Sequence, residues 1–326
     1  MIKIVEAVPN FSEGQNMQTI EAIAESIRSV ADVQLLHIDR GESANRTVMT
    51  FVGQPDAIAE AAFRAAKVAT ERIDMRLQKG THPRLGALDV LPFVPISGIS
   101  LQECADLARN VAQRVGNELN VPVYCYEAAS KGSPHRIRLE QIRKGEYEGL
   151  TQKMNFPEWK PDFGPTNFNA QTGAYIIGAR PFLLAYNINL ATSDVAIAKK
   201  IAELIRESGF VKKGTQVKGK FKSVKAIGWY VPEYGCAQIS TNLTNLQQTP
   251  VWQVYEYAKE LASKFNTQVT GSEIIGLTPE FVLLDAGYHY NSTLLAKSEL
   301  IELAIEKLKL NDKYQFLLDK IIENRI

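Results

Sequence analysis

The sequence predicts an α+β protein made of two similar halves, and three observations support this fold class. A strand-like run, a polar turn and an amphipathic helix occur near the N-terminus, and the same plan returns from residue 182. Two more strand-like runs and a second helix follow in each half, and a fourth strand then leads into another helix. The order strand–helix–strand–strand–helix–strand is that of a ferredoxin-like (βαββαβ) unit, so we expect two ferredoxin-like subdomains.

The elements of the first half follow from their hydrophobic periodicity. Residues 3–30, KIVEAVPNFSEGQNMQTIEAIAESIRSV, begin as a strand and continue as a helix with Ile20, Ile23, Ala24 and Ile27 on one face. The other predicted elements of this half are the strands 33–41 and 45–53, the helix 56–73, the strand 84–96 and the helix 100–115.

The second half carries matching start and stop signals. Ser193 or Asp194 caps its first helix, which stops at Gly209, and Pro250 stands in the first turn of its second helix. The other predicted elements are the strands 182–190, 223–231, 237–245 and 267–277 and the helices 250–265 and 279–290.

We expect two domains, an N-terminal one spanning 1–178 and a C-terminal one spanning 179–326. Between the halves, residues 152–173 contain prolines, glycines and amides but show no helical or alternating period. Their aromatic side chains argue against disorder. Such a long segment is either an ordered binding loop or a linker packed on the surface.

Composition restricts the classes of function. Hydrophobic residues make up 45% of the 326-residue chain, charged residues 22%, and the net charge is +1. This balance is typical of a globular protein and predicts neither a nucleic-acid nor a membrane partner. No signal-peptide core is visible, and no window approaches the ~20 apolar residues of a membrane-spanning helix. We therefore expect a cytoplasmic protein.

Several familiar chemistries lack their motifs in this sequence. The three cysteines are far apart, which suits a reducing compartment and gives no disulfide framework. The histidines His37, His135 and His289 have no metal-ligand spacing, so no metal is expected. The absence of Gly-rich phosphate, Walker and Gly-x-Ser-x-Gly motifs disfavours nucleotide hydrolysis, dinucleotide oxidoreduction and serine hydrolase chemistry.

The leading catalytic candidate is His82 in the segment KGTHPRLGALDV, residues 79–90. Imidazole is the side chain whose ordinary pKa suits proton transfer near neutral pH. Taken alone, the segment favours the alternative, in which His82 is a polar loop residue that caps a turn.

Two further segments supply polar candidates. VPNFSEG, residues 8–14, places Asn10 and Ser12 at a helix N-terminus, where anions are favoured, although Ser12 could be only a helix cap. HIDRGESANRTVMTF, residues 37–51, contains Asp39 and Arg46 around a turn. These side chains could orient a histidine and bind a carboxylate, or could simply be solvated charges of a hairpin.

Seven motifs in the same order make the sequence similar to the glutamate formimidoyltransferase, or formiminotransferase, family. They are VPNFSEG, NRTVMTFVG, KGTHPRLGALDV, PDFGPTNF, NINL, GWYV and STNL. The resemblance covers essentially the whole chain. It implies two ferredoxin-like subdomains with mixed sheets that face each other across a tunnel, in a homodimer.

The resemblance also implies an activity. Members of the family transfer the formimino group of N-formimino-L-glutamate to N5 of tetrahydrofolate in histidine degradation, giving 5-formiminotetrahydrofolate and L-glutamate. Tetrahydrofolate, with or without a polyglutamate tail, is a co-substrate and no metal is needed. Because the chain ends at Ile326, we expect the cyclodeaminase that acts downstream to be a separate protein.

The family's catalytic histidine carries over by position to His82. From their charge and place in the sequence, and not from the resemblance, Asp39 is expected to orient the imidazole, and Asn10, Arg46 and Arg84 are candidates for binding the substrate. The folate-binding segment corresponds to Gly164, Pro165, Thr166, Asn167, Phe168, Asn169, Ala170, Gln171, Thr172 and Gly173. Two alternatives remain open at this stage, a formyl transfer between glutamate and tetrahydrofolate and a folate-binding module without catalysis.

Overall fold

A computed structural model describes residues 3–42, 44–80, 82–132, 136–293 and 296–325. Helices and both antiparallel and parallel strands occur, which confirms the α+β class. The chain divides into two compact units, Met1–Pro181 and Phe182–Ile326, which we call the N-terminal and C-terminal units. The expected boundary at residue 178 falls inside the last strand of the N-terminal unit, and His135 lies outside the described residues.

The N-terminal unit alternates strands and helices before it ends in a region of short elements. Its elements are β1 (Ile4–Ala7), β2 (Asn10–Phe11), α1 (Met17–Arg28), β3 (Val33–Gly41), β4 (Arg46–Gly53), α2 (Pro55–Arg72), β5 (Leu88–Ser97), α3 (Leu101–Glu118), β6 (Val123–Glu127), α4 (Leu139–Arg143), α5 (Glu146–Lys153) and β7 (Tyr175–Ala179).

The sheet of this unit has the order β3-β4-β1-β5-β7-β6, with β2 continuing β1 between β4 and β5. Pro9 separates β1 from β2 because proline has no N–H to donate to a neighbouring strand. The pairs β5–β7 and β6–β7 are parallel, and the others are antiparallel. Consequently β2, the start of β4 and the start of β5 lie side by side.

Both faces of this sheet are covered. The apolar residues of α1, α2 and α3 form the main core, which includes Phe11, Met49 and Phe93. A smaller core contains Ile142 of α4 and Leu150 of α5. Two covered faces explain why β5 reads as a continuous apolar run rather than an alternating one.

The C-terminal unit contains one principal antiparallel sheet with the order β11-β12-β8-β13. Its elements are β8 (Leu184–Leu190), α6 (Val195–Ile205), β9 (Phe210–Lys212), β10 (Thr215–Val217), β11 (Val224–Val231), β12 (Cys236–Leu243), α7 (Val251–Lys264), β13 (Val269–Ile275), α8 (Glu280–Tyr290) and α9 (Lys297–Lys307). Helices α6 and α7 contribute to its apolar core, and β9 pairs with β10 as a separate hairpin.

Most predicted elements occur close to their predicted positions, but two details at helix starts are wrong. Asp194 caps α6 by accepting from the Ala196 N–H at 2.8 Å, as predicted. Pro250 precedes the first turn of α7 as its N-cap residue. Ser12 caps no helix, because α1 begins later, at Met17 with Asn16 as its N-cap, and the Ser12 hydroxyl donates to the Gly86 carbonyl at 2.8 Å.

Among the helices that the structure describes, none is both long and apolar enough to cross a membrane.

Candidate active site

His82 lies in the segment between α2 and β5, and its two ring nitrogens have different partners. Nδ1 is 2.7 Å from the carbonyl oxygen of Pro83, and Nε2 contacts the guanidinium of Arg46. A carbonyl only accepts and a guanidinium only donates. The contacts therefore assign the proton to Nδ1 and leave the lone pair on Nε2, where the neutral imidazole accepts from Arg46.

The electrostatic surroundings of His82 favour the same neutral state. Burial, followed by the positive charges of Arg46 and Arg143, lowers the pKa of His82 from 6.5 to about 4, against the opposing effect of the Pro83 carbonyl. Both effects disfavour imidazolium. At neutral pH the His82 imidazole can therefore act as a base. It can act as an acid only after it has accepted a proton.

Stability at mildly acidic pH should therefore depend on His82. The unfolded chain takes up a proton at this position near the ordinary pKa of 6.5, whereas the folded protein does so only at a pKa of about 4. Between these values the unfolded state binds more protons, so stability falls as the pH falls. The urea midpoint should decrease less from about pH 7.5 to about pH 5 in His82→Gln than in the wild type. An equal decrease in both proteins would contradict this pKa.

Arg46, the first residue of β4, connects the imidazole to β2. Its Nη1 contacts His82 and its Nη2 donates to Oδ1 of Asn10, whose own Nδ2 donates to the Val8 carbonyl at 2.8 Å. Burial lowers the pKa of Arg46 to about 10, and the nearby Asp89 opposes that decrease. Its buried Nε has no hydrogen-bond partner within the described residues. The guanidinium thus retains an unused donor beside the histidine.

A polar network fixes the segment that carries His82. Asn45 accepts from the Gly14 N–H at 2.8 Å and donates to the Lys79 carbonyl at 2.9 Å. Gln78 donates to the Glu13 carboxylate at 3.0 Å. At Gly80 a Cβ would lie 2.2 Å from a backbone oxygen, so this close approach requires glycine.

The predicted anion site at the N-terminus of α1 is already filled by the protein itself. The Glu13 carboxylate accepts from the N–H groups of Gln15 and Asn16 at 2.8 Å each. The Asn16 side chain accepts from Thr19 N at 3.1 Å. A side-chain carboxylate thus occupies the site where a substrate anion was expected. Asn10, which was expected at this helix N-terminus, lies beside Arg46 instead.

The expected roles of Asp39 and Arg84 are not supported by their contacts. Asp39 pairs with Val48 in the sheet, and no described hydrogen bond joins it to His82, whose Nδ1 is held by Pro83. The negative charge of Asp39 acts on Arg46, where it favours the charged guanidinium.

Arg84 is occupied by carboxylates from α5. Its guanidinium donates to Glu148 at 2.7 and 3.0 Å and reaches Glu146 at 3.4 Å. Because these carboxylates already neutralise Arg84, it is poorly suited to bind the carboxylates of a substrate. Its contacts anchor α5 to the chain beside His82.

Sequence reasoning missed a buried ion pair in this region. The Asp89 carboxylate, 1% exposed, accepts from Arg143 Nη2 at 2.6 Å and from the Leu85 N–H at 2.9 Å. Burial raises the pKa of Asp89, and the positive charges of Arg143 and Arg46 oppose that increase. The one available signal was an acidic residue inside the apolar run LGALDVLPF.

The segment Gly164–Gly173 is partly exposed at its start and tightly docked at its end. Asn169 organises the turn, because its Oδ1 accepts from the N–H groups of Gln171 and Thr172 at 3.1 and 3.2 Å. The Phe168 ring lies 5.5 Å from that of Tyr147, whose hydroxyl donates to the Ala170 carbonyl at 2.5 Å. The remaining predicted residues Gly164, Pro165, Thr166 and Asn167 precede this turn.

This turn is joined directly to the chain that follows His82. The Thr172 carbonyl accepts from the Ala87 N–H at 2.8 Å, and Gly173 forms a bridge with Gly86. The candidate folate segment and the candidate base are therefore parts of one connected structure within the N-terminal unit. The ordered packing of residues 152–173 agrees both with a binding loop and with a linker packed on the surface. The role of this segment stays a prediction.

Gly173 is the position at which this connection should be most sensitive. Its φ is +66°, and a Cβ would lie 2.2 Å from the Leu85 carbonyl oxygen. We expect Gly173→Ala to lower the free energy of unfolding by roughly 2–4 kcal/mol, measured by urea denaturation. Gly132→Ala is the matched control, because Gly132 has φ +80° and a Cβ there would have no atom of the described residues within 4 Å. Equal losses would show that the close approach is unimportant.

The described residues contain no group of three or more His, Cys, Asp or Glu side chains that could hold a metal ion. A neutral imidazole beside a partly unpartnered guanidinium on an α+β scaffold is instead suited to acid–base chemistry on an anionic substrate.

Comparison with known proteins identifies the family. The formiminotransferase domain matches in two parts, its N-terminal subdomain at residues 4–180 and the following subdomain at residues 185–326. The chain therefore belongs to the formiminotransferase family.

Similar proteins occur both as fusions and as shorter chains. Formimidoyltransferase-cyclodeaminase of Dictyostelium discoideum is 46% identical over 95% of this chain, and that of Rattus norvegicus is 45% identical over 97%. The chain spans 58% of the length of each. Glutamate formimidoyltransferase of Streptococcus pyogenes serotype M1 is 41% identical, and the match covers 89% of this chain and 94% of that protein.

Proposed function

We propose that this protein transfers the formimino group of N-formimino-L-glutamate to N5 of tetrahydrofolate, releasing L-glutamate. The observation that carries the proposal is the neutral His82 imidazole, with its Nε2 lone pair directed at Arg46. Family membership supports the substrates, because relatives that share 41% or more of their residues with this chain are named for formimidoyl transfer.

The proposed reaction needs one group that accepts a proton and returns it. N5 of tetrahydrofolate attacks the formimino carbon, and a bond between them forms as the C=N double bond becomes single. His82 takes the N5 proton on Nε2 and then gives a proton to the glutamate nitrogen. The bond between that nitrogen and the carbon breaks, the C=N double bond is restored, and L-glutamate leaves. General acid–base catalysis of this kind contributes about 10²–10⁴ in rate.

Arg46 must leave the Nε2 lone pair before His82 can act as a base. We propose that a carboxylate of the glutamate substrate draws the guanidinium away, aided by the donor that has no described partner on Nε. Charge-assisted bonds to a carboxylate are stronger than a bond to a neutral imidazole. Binding of the substrate would then expose the base, while Asn10 keeps the guanidinium nearby.

The segment Gly164–Gly173 is proposed to bind tetrahydrofolate. Its support is its direct connection to the chain that follows His82, together with the partly buried Phe168 beside Tyr147. Aromatic faces are suited to stacking on a planar ring such as a pterin. Asp39 and Arg84 have no contact with substrate in this proposal, and each acts through a neighbouring residue.

The finer architecture is also a proposal. The order β11-β12-β8-β13 supports a ferredoxin-like C-terminal unit, and the order β3-β4-β1-β5 supports the same for the first part of the N-terminal unit. The domain limits, the tunnel, the homodimer and the cytoplasmic location stay predictions. The names of the fused relatives suggest that a cyclodeaminase uses the product.

A direct assay tests the activity. Purified protein is mixed with tetrahydrofolate and either N-formimino-L-glutamate or N-formyl-L-glutamate, and folate absorbance and glutamate release are followed. The proposal predicts a new folate species and glutamate in equal amounts with the formimino donor. Faster turnover of the formyl donor would favour a formyltransferase, and folate binding without glutamate release would indicate a module without catalysis.

A further inference from the structure

We propose that Asp162 is a positioning residue for tetrahydrofolate, because it fixes the place at which the segment Gly164–Gly173 begins. This inference rests on the proposed role of that segment and adds a residue outside it. Asp162 belongs to the motif PDFGPTNF, whose first three residues precede the segment. The evidence is the set of contacts that join Asp162 to strand β6.

Strand β6 ends its sheet, so its outer edge carries backbone groups that no further strand of this sheet satisfies. The chain before Gly164 pairs with the start of this edge. The Val123 N–H donates to the Phe163 carbonyl at 2.9 Å, and the Asp162 N–H donates to the Val123 carbonyl at 2.9 Å. Residues 162–163 therefore form one short antiparallel pairing with β6, and so short a pairing is weak on its own.

The Asp162 side chain extends this pairing by one step along the edge. Its Oδ2 accepts from the Cys125 N–H at 2.7 Å, and this is the next outward-facing N–H of β6 after that of Val123. The same oxygen accepts from the guanidinium of Arg136. The side chains of Asp162 and Arg136 are 15% and 12% exposed. These bonds are largely shielded from water, so they fix the chain better than an exposed ion pair would.

Arg136 is held along the same edge of the sheet. The carbonyl of the next residue, Ile137, accepts from the Glu127 N–H at the end of β6 at 2.7 Å. The guanidinium carbon of Arg136 lies 5.8 Å from the centre of the Tyr124 ring. The ion pair therefore joins two stretches of chain that each pair with β6.

The chain is closely confined at the point where the segment begins. Gly164 has φ +79°, and a Cβ there would lie 2.2 Å from the Val121 carbonyl oxygen. A Cβ on Gly116 of α3 would lie 2.6 Å from the Gly164 nitrogen. The segment thus begins in a narrow space between α3 and β6, and its other end is docked at Gly173. The residues between these two ends are held in a defined place.

A segment that is fixed at both ends needs little further ordering when a ligand binds. Without the anchor at Asp162, the start of the segment could move, and binding of tetrahydrofolate would have to restrict it again. This cost falls on the affinity for tetrahydrofolate and not on proton transfer by His82. Asp162 thus contributes to folate affinity without touching the substrate.

Isothermal titration calorimetry with 5-formyltetrahydrofolate tests the inference without requiring activity. We expect Asp162→Ala to raise the Kd roughly 3- to 10-fold, because the start of the segment must then be ordered on binding. Asp162→Asn keeps an oxygen that can accept from the Cys125 N–H and from Arg136, so it should stay near the wild type. In steady-state kinetics, Asp162→Ala should raise the KM for tetrahydrofolate by a similar factor, while kcat and the KM for N-formimino-L-glutamate change little.

Arg109 provides the control, because it is another buried arginine that fastens the chain close to β6. Its side chain is 13% exposed and donates to the carbonyls of Ala128 and Ala129, just after β6, at 3.4 and 3.2 Å. Arg109→Met should lower the urea midpoint, as Asp162→Ala does, but leave the Kd unchanged. If Asp162→Ala lowers the urea midpoint and binds 5-formyltetrahydrofolate with the wild-type Kd, the contacts of Asp162 are only structural and the inference is wrong.

A second variant keeps the test decisive if Asp162→Ala does not fold. That substitution leaves the Arg136 guanidinium as an uncompensated buried charge. The double variant Asp162→Ala, Arg136→Met removes this charge, and the same increase in Kd is expected. A wild-type protein that does not bind 5-formyltetrahydrofolate would reject the proposed folate site and this inference with it. A wild-type protein that binds it, with an equal Kd in the variant, would reject the inference alone.

Discussion

Replacing His82 by glutamine is expected to lower kcat for formimino transfer by about 10²–10⁴-fold. Glutamine approximates the size of imidazole and can still accept from the Arg46 guanidinium, but it cannot take a proton from N5 of tetrahydrofolate. The loss should appear in kcat, since the groups proposed to bind the two substrates are unchanged. Steady-state kinetics with both substrates varied, together with a urea unfolding curve, measures the effect.

His289→Gln is the matched control for this substitution. His289 stacks on Trp252 in the C-terminal unit, with ring centres 3.6 Å apart, and takes no part in the proposed chemistry. It should retain wild-type kcat. If a folded His82→Gln protein also turned over at the wild-type rate, His82 would not be the proton carrier and another residue would have to be sought.

Removing the guanidinium of Arg46 should have the next largest effect, and it should fall mainly on substrate binding. We expect Arg46→Met to reduce kcat/KM by roughly 10- to 100-fold, chiefly through a higher KM for N-formimino-L-glutamate, because a charged hydrogen bond contributes about 1.5–3 kcal/mol. The KM for tetrahydrofolate should change little. Initial rates at several concentrations of each substrate separate the two constants.

Arg40→Met tests whether the effect of Arg46→Met is specific to its position. Arg40 lies on β3 with a side chain that is 38% exposed and paired with Glu42. Its loss should leave both KM values near those of the wild type. An unchanged KM for N-formimino-L-glutamate in Arg46→Met would remove the carboxylate-binding role, and with it the proposal that substrate uncovers the His82 lone pair.

Elements whose sequence patterns are local were predicted well. The apolar stripe of α1 at Ile20, Ile23, Ala24 and Ile27 is buried as expected, because a helix buries the face that its spacing defines. The capping of α6 by Asp194 is equally local, since a cap and its target N–H are separated by a few residues.

Elements whose surroundings are set by distant parts of the chain were harder to predict. Strand β6, VYCYE, is apolar or aromatic until its last residue, Glu127, and lies parallel to β7 on the side of β7 away from β5. A strand buried on both faces lacks the alternation by which a strand is identified. Helices α4 and α5 were missed for a related reason, because each is short and is stabilised by contacts outside itself. The Lys153 ammonium of α5, for example, donates to the Ile142 carbonyl of α4 at 2.5 Å.

The candidate site shows the same division. His82 and Arg46 could be named from their motifs, but their contact joins residues 36 positions apart and depends on how β4 meets the segment before β5. Asp39 and Arg84 were given roles from charge and proximity in sequence. The structure instead provides the Pro83 carbonyl and the carboxylates of Glu146 and Glu148 as partners.

The measurement that tests the central claim most directly is a crystal structure with 5-formyltetrahydrofolate, a stable analogue of the product, and glutamate bound. We predict that Nε2 of His82 lies within about 2.6–3.2 Å of N5 of the pterin, or one water molecule away, and that the Arg46 guanidinium has turned to a glutamate carboxylate. A pterin bound far from His82, with Arg46 still on Nε2, would contradict the account.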